Sequence, residues 1–149
     1  MNLSELLTEE TIILSLDAVS KEECIEKLTA TLENNGVVHD KKVYYQSVIE
    51  REELGSTGIG FGVAIPHGKS SGATKPGLAF GRLKQPIDWQ SLDGNPVSVV
   101  FLIAVPEEQA GNEHLQILSS ISRKLIHEEF RNKLLVAGTA QDILEEIAK

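Results

Sequence analysis

The run Val97–Val105 is the feature that most constrains how this chain can fold. It is β-branched or apolar at every position except Ser98, and it follows a turn signal at Asp93–Pro96. A strand with one face in water alternates apolar and polar residues, whereas a continuous apolar run is typical of a strand buried on both faces. The chain must therefore supply helices that cover both sides of a sheet.

Capping and spacing signals predict those helices and the other strands. Ser20, with Glu23 three residues later, forms a capping-box pattern that starts a helix over Lys21–Asn34, and Gly36 lies where a C-terminal cap is expected. The other predicted elements are strands over Thr11–Leu16 and Gly77–Leu83, a helix from Asp40 to Leu54–Gly55, a helix from Asn112, a helix over Glu128–Val136 and a last helix capped by Thr139. Strands that alternate with helices predict an α/β fold, with residues 1–149 forming a single domain whose mixed β-sheet is flanked by helices on both faces.

The apolar stripes of these helices predict which side chains enter the core. Cys24 lies on such a stripe in the first helix, so it is interpreted as a core residue and not as a redox or metal-binding thiol. In the helix after Asn112, the predicted core stripe is Leu115, Leu118, Ile121, Ser122 and Leu125.

Composition excludes several classes of partner. The 149 residues carry a formal net charge of -8, and no cluster of Lys and Arg is present, which argues against nucleic-acid binding. No apolar run approaches the roughly 18 residues of a membrane span, and the N-terminus lacks the features of a secretory signal. A single cysteine is typical of a cytoplasmic protein. The start at Met1 and the helix at the end favour a freestanding chain.

The glycine-spaced stretch Gly58–Lys69 is the main candidate for a functional site. It is interpreted as a loop that runs into a short apolar segment and presents His67 between Pro66 and Gly68. Proline fixes its own φ and pushes the preceding residue into an extended conformation, while glycine permits backbone geometries that a side chain forbids. This context predicts that the direction of the imidazole is controlled.

Two nucleotide-binding patterns fail in this stretch. A P-loop has four residues between its glycines, whereas five separate Gly62 from Gly68, and Pro66 removes one backbone donor. A dinucleotide fingerprint that began at Gly58 and Gly60 would need a third glycine where Val63 stands. No nucleotide, and no other cofactor, is therefore expected.

Metal-assisted and triad hydrolysis have weak support. A zinc site needs three or more convergent ligands, but the four histidines, at positions 39, 67, 114 and 127, are scattered along the chain. A hydrolytic triad needs an activated nucleophile, and Ser56 and Thr57 lie on no nucleophile elbow. On the residues alone, both classes remain alternatives.

His67 as the nucleophile is the interpretation that remains. An unprotonated imidazole nitrogen can take up a phosphoryl group and later release it, provided that the reacting atoms are in line and donors stabilise the phosphoryl oxygens. Candidate donors are Arg51, Ser56, Thr57, His114 and the backbone of the glycine stretch, Gly68 included. Three of the candidate residues have a plain structural explanation as well: His67 as a hydrogen-bonded loop residue, Arg51 as a cation at a helix C-terminus, and His114 as a surface residue in a first helical turn.

Four segments together resemble the EIIA domain of the fructose-mannitol family of the bacterial phosphoenolpyruvate-dependent sugar phosphotransferase system. They are Arg51–Gly60, Val63–Gly68, Leu92–Val97 and Gly111–Leu115. The resemblance extends over nearly the whole chain. It implies a phosphotransferase component whose fold is a mixed sheet of about five strands between helices.

The resemblance also implies partners and roles. His67 would accept a phosphoryl group from the histidine-phosphorylated carrier protein HPr and pass it to a cysteine of an EIIB domain, which phosphorylates sugar entering through a membrane EIIC subunit. Arg51 and His114 would stabilise the phosphorylated form. Donor and acceptor must then use the same face in turn, and Ile59 and Phe61 are predicted to be exposed on that face.

Two functions compatible with the resemblance differ in their output. One is phosphoryl transfer for the uptake of a fructose-like sugar. The other is regulation by phosphorylation-dependent protein binding, as in the nitrogen-regulatory branch of the family. Phe61 and the segment Leu78–Leu83 resemble the sugar branch more closely, which favours transport.

Overall fold

The buried apolar run forms the central strand of the computed structural model, in which residues 3–109 and 112–149 are described, except for the side chains of residues 109 and 112–114. Three short 3₁₀ turns lie at Leu3–Glu5, Glu9–Thr11 and Glu107–Gln109. The strands are β1 (Ile12–Leu16), β2 (Gly58–Gly60), β3 (Val63–Ala64), β4 (His67–Ser70), β5 (Gly77–Ile87) and β6 (Val97–Pro106). The helices are α1 (Lys21–Asn34), α2 (Lys41–Leu54), α3 (Asn112–Leu125), α4 (Glu128–Val136) and α5 (Ala140–Ala148).

The strands form one mixed sheet in the order β1-β5-β6-β3-β2, with β4 also paired to β6. β1 is parallel to β5, β5 is antiparallel to β6, and β3 and β4 are both parallel to β6. The prediction of a mixed sheet is confirmed. In the described part of the chain the sheet has six strands, in agreement with the prediction of about five; the sixth arises because the neighbour of β6 on one side is split into β3 and β4.

β6 is buried on both faces, as its composition predicts. Val100, Leu102 and Ala104 point into a core that also contains apolar side chains of α1 and α2. The alternate residues Phe101 and Ile103 point into a second core, which contains side chains of α3, α4 and α5. The single domain therefore has helices on both faces, as predicted.

Helix caps account for the agreement between predicted and observed helix boundaries. The Ser20 hydroxyl accepts a hydrogen bond from the Glu23 amide at 3.1 Å, and α1 spans the predicted residues. The Glu23 carboxylate accepts from the Val19 amide at 2.8 Å instead of from the cap residue itself. Asp40 caps α2 through the Val43 amide at 3.2 Å, which fixes the start of the helix that approaches β4.

The predicted core stripe of α3 is wrong at one position. Leu115 is 62% exposed, whereas Ile117, which was not in the predicted stripe, is buried with Ile121 and Leu125. Residues four apart share a helix face, so Ile117, Ile121 and Leu125 form the stripe, and Leu115 lies about 200° away from Ile117. Within the described residues, no helix is both long enough and apolar enough to cross a bilayer.

The glycine stretch Gly58–Lys69 consists mostly of short strands and not of a loop. Gly58 pairs with Ala64, and the two-residue turn between β2 and β3 has positive φ at Phe61 (59°) and Gly62 (76°), as a type I′ hairpin turn requires. β3 pairs in parallel with β6 at Val63 and Ala64, and Pro66, two residues later, has no amide hydrogen to donate. Pairing with β6 resumes at His67, opposite Ile103.

Candidate functional site

His67 is the first residue of β4, on the edge of β6 where the strand pairing restarts. The sequence interpretation placed it in a loop, but the Pro66 carbonyl accepts from the Ile103 amide at 3.0 Å and holds the chain in the sheet on both sides of the histidine. The side chain is 7% exposed. Its position is therefore fixed by the central strand of the domain.

The hydrogen bond of the ring determines which nitrogen can react. His67 Nδ1 lies 3.0 Å from the Ile65 carbonyl oxygen. A carbonyl oxygen only accepts, so Nδ1 donates, and in the neutral ring Nε2 carries the lone pair. Burial lowers the pKa of His67, and the nearby Arg51 charge lowers it further, against the opposing effects of the Ile65 carbonyl and Glu52. The neutral, nucleophilic form is thus favoured near neutral pH.

Gly68 allows α2 to pack closely against β4. A Cβ on Gly68 would meet Ser47 Oγ, and it would lie 3.0 Å from Val48 Cγ2 and 3.3 Å from the Val48 amide nitrogen. These atoms belong to α2, so the glycine permits a helix–strand distance that a side chain would increase. The observed constraint on Gly68 is this packing, and its role as a phosphoryl contact stays a prediction.

Arg51 lies in the last turn of α2. Its Nη1 donates to the Gly55 carbonyl at 2.8 Å, which satisfies a carbonyl group at the C-terminal end of the helix. Its charge also acts on the His67 imidazole. The structural and the electrostatic interpretations of Arg51 therefore apply together, and direct contact with a phosphoryl group stays a prediction.

The hydroxyl groups of Ser56 and Thr57 are already engaged. Ser56 Oγ donates to the Trp89 carbonyl at 2.6 Å and accepts from the Gly58 amide at 3.0 Å. Thr57 is 3% exposed, and its hydroxyl donates to the carboxylate of Glu52. To act on a phosphoryl group, either hydroxyl would first have to leave its present acceptor, so this role also stays a prediction.

The side chain of His114 lies outside the described residues. Its backbone is in the first turn of α3, as the sequence predicts. Two other histidines lie elsewhere on the chain and are exposed: His39, whose Nε2 is 2.9 Å from the Ser71 carbonyl oxygen, and His127, just before α4. Of the side chains that the structure describes, no three histidine, cysteine or acidic groups converge as metal ligands would.

Cys24 lies on the core-facing side of α1 and is fully buried, as predicted. Burial raises the pKa of its thiol to about 12. Because the thiolate is the nucleophilic and metal-binding form, this cysteine is unsuited to covalent chemistry at neutral pH.

Of the two apolar residues predicted to be exposed near His67, Phe61 is exposed and Ile59 is not. Phe61 is 65% exposed, but its hairpin lies where β3 pairs with Val99, four residues along β6 from the partner of His67 and so roughly 13 Å away. Ile59 is half-buried against the core. Leu54, 86% exposed, lines an open groove of about 980 Å³ together with Arg51, and it is the better candidate for contact with a partner.

The sequence interpretation did not identify Glu52 or Trp89 as parts of the site. Glu52 is 8% exposed, and its carboxylate accepts from Thr57 and from the Trp89 indole. The sequence does show that Glu52 is next to Arg51 in the last turn of α2. A carboxylate that is buried there needs hydrogen-bond donors, which could have indicated a polar cluster near Arg51. Thr57 is only five residues from Glu52, but Trp89 is 37 residues away and belongs to no shared motif.

Comparison with known proteins identifies the family. Residues 5–149 match the family described as "Phosphoenolpyruvate-dependent sugar phosphotransferase system, EIIA 2". The chain is 42% identical to the PTS system fructose-specific EIIABC component of Bacillus subtilis over 99% of its own length and 23% of that protein. It is 39% identical to the PTS system fructose-specific EIIA component of Haloferax volcanii over 99% of its own length and 97% of that protein.

Solved structures share the fold. The nitrogen regulatory protein IIA-Ntr from Neisseria meningitidis superposes with a TM-score of 0.89 at 33% identity, covering 97% of both chains. Enzyme IIAMTL from Escherichia coli, solved in complex with phosphorylated enzyme IIBMTL, superposes with a TM-score of 0.81 at 26% identity, covering 96% of this chain and 99% of that one. With a match over nearly its whole length, the chain belongs to the EIIA 2 family of the phosphoenolpyruvate-dependent sugar phosphotransferase system.

Proposed function

We propose that His67 accepts a phosphoryl group on Nε2 from phosphorylated HPr and donates it to a cysteine of an EIIB domain, for the uptake and phosphorylation of a fructose-like sugar. The observation that carries the proposal is the 3.0 Å contact between His67 Nδ1 and the Ile65 carbonyl, which assigns the lone pair of the neutral ring to Nε2. Such transfers need a positioned nucleophile more than further covalent chemistry from the protein.

Each transfer exchanges one bond to phosphorus for another. In the first, Nε2 attacks the phosphorus, and the bond to the HPr histidine breaks with its electron pair returning to that imidazole. In the second, the EIIB thiolate attacks, and the electron pair of the Nε2–P bond returns to His67. The phosphorylated ring of His67 is cationic while Nδ1 keeps its proton, so the Ile65 carbonyl stabilises the intermediate.

The environment of His67 suits a phosphorylated intermediate that must form and then transfer its phosphoryl group. Arg51 on α2 supplies a positive charge toward the imidazole, which favours a phosphoryl group there. His114 is proposed as a second stabilising group from α3. Because HPr and EIIB both need Nε2, their complexes with this protein are mutually exclusive, and each must dissociate quickly.

The similarities support EIIB as the acceptor and sugar uptake as the process. One relative of similar fold, enzyme IIAMTL, has been solved in complex with a phosphorylated IIB protein, and two relatives at 39% and 42% identity are named as fructose-specific. An association with a membrane EIIC subunit would be indirect, through EIIB. Exchange with HPr would take place in the cytoplasm.

A nitrogen-regulatory role is the second candidate. It is favoured by the close superposition on IIA-Ntr of Neisseria meningitidis, at a TM-score of 0.89. In that role the phosphoryl group on His67 would control binding to another protein and would not be passed to an EIIB domain. The chemistry at His67 is the same in both candidates.

The first experiment tests the phosphorylated residue. The wild type, His67→Gln and His127→Gln are incubated with radiolabelled phosphoenolpyruvate, Enzyme I and HPr. We expect an acid-labile, base-stable label on the wild type and on His127→Gln, since His127 is an exposed residue at the start of α4, and none on His67→Gln. A label of equal size on His67→Gln would overturn the assignment.

The second experiment separates the two candidate roles. The phosphorylated wild type is mixed with purified EIIB domains of the fructose class, and loss of the label is followed in time. Rapid transfer to a cysteine of EIIB supports the transport role. If the protein carries the label and no EIIB domain removes it, the transport role is rejected and regulation is favoured.

A further inference from the structure

Glu52 is a buried carboxylate that joins three separate segments of the chain. Lys21, the first residue of α1, lies 3.2 Å from Oε2 through its Nζ, and the Thr57 amide donates to the same oxygen at 3.3 Å. The Thr57 hydroxyl and the Trp89 indole, at 3.4 Å, donate to Oε1. Both carboxylate oxygens are thus occupied by donors, and the group is 8% exposed.

A continuous chain of hydrogen bonds runs from this carboxylate to the reactive histidine. The Thr57 amide donates to Glu52, the Thr57 carbonyl accepts from the Ile65 amide at 3.0 Å, and the Ile65 carbonyl accepts from His67 Nδ1 at 3.0 Å. The last bond orients the imidazole and fixes its tautomer. Since each link sets the position of the next, a displacement of Thr57 would be transmitted to the ring.

Glu52 also takes part in the charge balance around His67. β4 is packed between α2 and β6: from α2, Arg51 lowers and Glu52 raises the pKa of His67, and β6 carries no ionisable side chain. The buried Tyr44 hydroxyl of α2 donates to the Ile103 carbonyl, and Lys69 on β4 itself is exposed. An uncompensated carboxylate here would oppose an incoming phosphoryl group, and the Lys21 ammonium supplies the compensating charge.

We infer that Glu52 is a positioning residue for phosphoryl transfer at His67, acting through Thr57 and Ile65, and that Lys21 is its charge partner. The link to phosphoryl transfer rests on the proposed function, whereas the hydrogen bonds that join Glu52 to His67 do not depend on it. Lys21, at the start of α1 and remote from His67 in the sequence, thereby contributes to the reactivity of the imidazole.

Glu52→Gln tests the inference in the unphosphorylated protein. Glutamine keeps the shape of the side chain but loses the charge, and its NH₂ group replaces one of two accepting oxygens. Of the four groups that donate to Glu52, only the Thr57 hydroxyl has a lone pair with which it could accept from that NH₂ group. With the raising effect of Glu52 removed, the pKa of His67 should be lower than in the wild type. Glu53→Gln is the matched control, because it removes the same formal charge from the next residue of α2, which is exposed.

An NMR titration measures this effect without any transfer reaction. The Cε1 resonance of His67 is assigned by its loss in His67→Gln and is followed against pH in each variant. We expect a lower pKa in Glu52→Gln and a wild-type value in Glu53→Gln. An identical pKa in the wild type and both variants would overturn the inference.

Lys21→Met provides a second test with the opposite sign. Methionine retains the apolar stem, while loss of the ammonium leaves the charge of Glu52 uncompensated, so the pKa of His67 should rise. A residue with a merely structural role would not produce opposite shifts in Lys21→Met and Glu52→Gln. Circular dichroism confirms that each variant is folded, and if Glu52→Gln is not, the sign of the shift in Lys21→Met alone decides.

Transfer rates complete the test. We expect Glu52→Gln to accept the phosphoryl group from HPr roughly tenfold more slowly than Glu53→Gln, since small misplacements of a reacting group cost that much or more. A wild-type rate in Glu52→Gln, together with labelling of the wild type, would overturn the inference and leave the proposed function intact. No labelling of the wild type would refute the proposed function, while the titration would still measure the effect of Glu52.

Discussion

Gly68→Ala should separate α2 from β4 and thereby weaken both the fold and the site. The new methyl group would meet Ser47 Oγ, which is held by its hydrogen bond to the Tyr44 carbonyl at 2.7 Å, and would lie 3.0 Å from Val48 Cγ2. Ser47 can rotate at the cost of that bond, but the Val48 amide nitrogen, at 3.3 Å, moves only with the helix. Overpacking of this kind costs about 1–3 kcal/mol.

Urea denaturation followed by circular dichroism measures that cost. In thermal unfolding of a chain of this size, a loss of about 2 kcal/mol would correspond to a fall of roughly 4–8 °C in Tm. Gly138→Ala is the control, because a Cβ at Gly138 meets nothing within 4 Å and its φ is not in the left-handed region. We expect that variant to unfold within about 0.5 kcal/mol of the wild type or to be slightly more stable.

A second substitution identifies the contact responsible. Ser47→Ala in the Gly68→Ala background removes the nearest obstacle but leaves both Val48 contacts, so it should restore part of the lost stability. Since α2 carries Arg51, the single variant should also accept the phosphoryl group more slowly. If Gly68→Ala unfolds within about 0.5 kcal/mol of the wild type, the close approach of α2 and β4 does not explain the glycine.

Three further predictions concern the core, a helix cap and the histidine. Phe101→Ala should lower the free energy of unfolding by about 3–5 kcal/mol in urea denaturation, because the ring is fully buried and packs edge-to-face against Phe80 at 5.2 Å; a loss below about 1.5 kcal/mol would contradict this. Ser20→Ala removes the cap bond to the Glu23 amide and should cost about 1 kcal/mol by the same measurement, whereas an unchanged midpoint would mean that water replaces the cap. Burial lowers the pKa of His67 from its ordinary value of 6.5. As the pH falls below that value, the unfolded chain therefore binds a proton that the folded chain does not, and the free energy of unfolding decreases. His67→Gln should therefore lose less stability than the wild type between about pH 7.5 and 5.5, and equal losses would contradict the lowered pKa.

The parts of the fold that are determined locally were predictable from the sequence. α1 occupies the predicted residues and α5 begins after the predicted cap Thr139, because capping side chains mark where a helix begins. β6 was predictable because burial on both faces leaves an apolar run. Leu115 was placed wrongly because adjacent turns of an apolar helix offer more than one candidate stripe, and only packing against the sheet selects Ile117.

The parts that depend on pairing between distant segments were not predictable. β3 has two residues and β2 has three, too few for a period-two pattern. β3 is a strand because it pairs with β6, and β2 is a strand because it pairs with β3. The contact between Lys21 and Glu52 joins residues 31 positions apart and belongs to no motif. The sequence indicated His67 and Arg51 as candidates, but it could not show that Ser56 and Thr57 already have acceptors.

The direction of Ile65 in the sheet explains how a residue paired to the central strand can present a reactive nitrogen. The Ile65 amide donates to the Thr57 carbonyl, so the polar backbone groups of Ile65 face the side of β2 and not β6. β2 begins at Gly58, opposite Ala64, so the Ile65 carbonyl lies just beyond the pairs of β2 with β3 and can accept from His67 Nδ1 at 3.0 Å. Arg51 and Glu52 of α2 act on the same ring with opposite sign. Pairing with β6 therefore fixes the position of the imidazole, and the charges of Arg51 and Glu52 on α2 adjust its pKa. A group that must both receive and release a phosphoryl group requires both conditions.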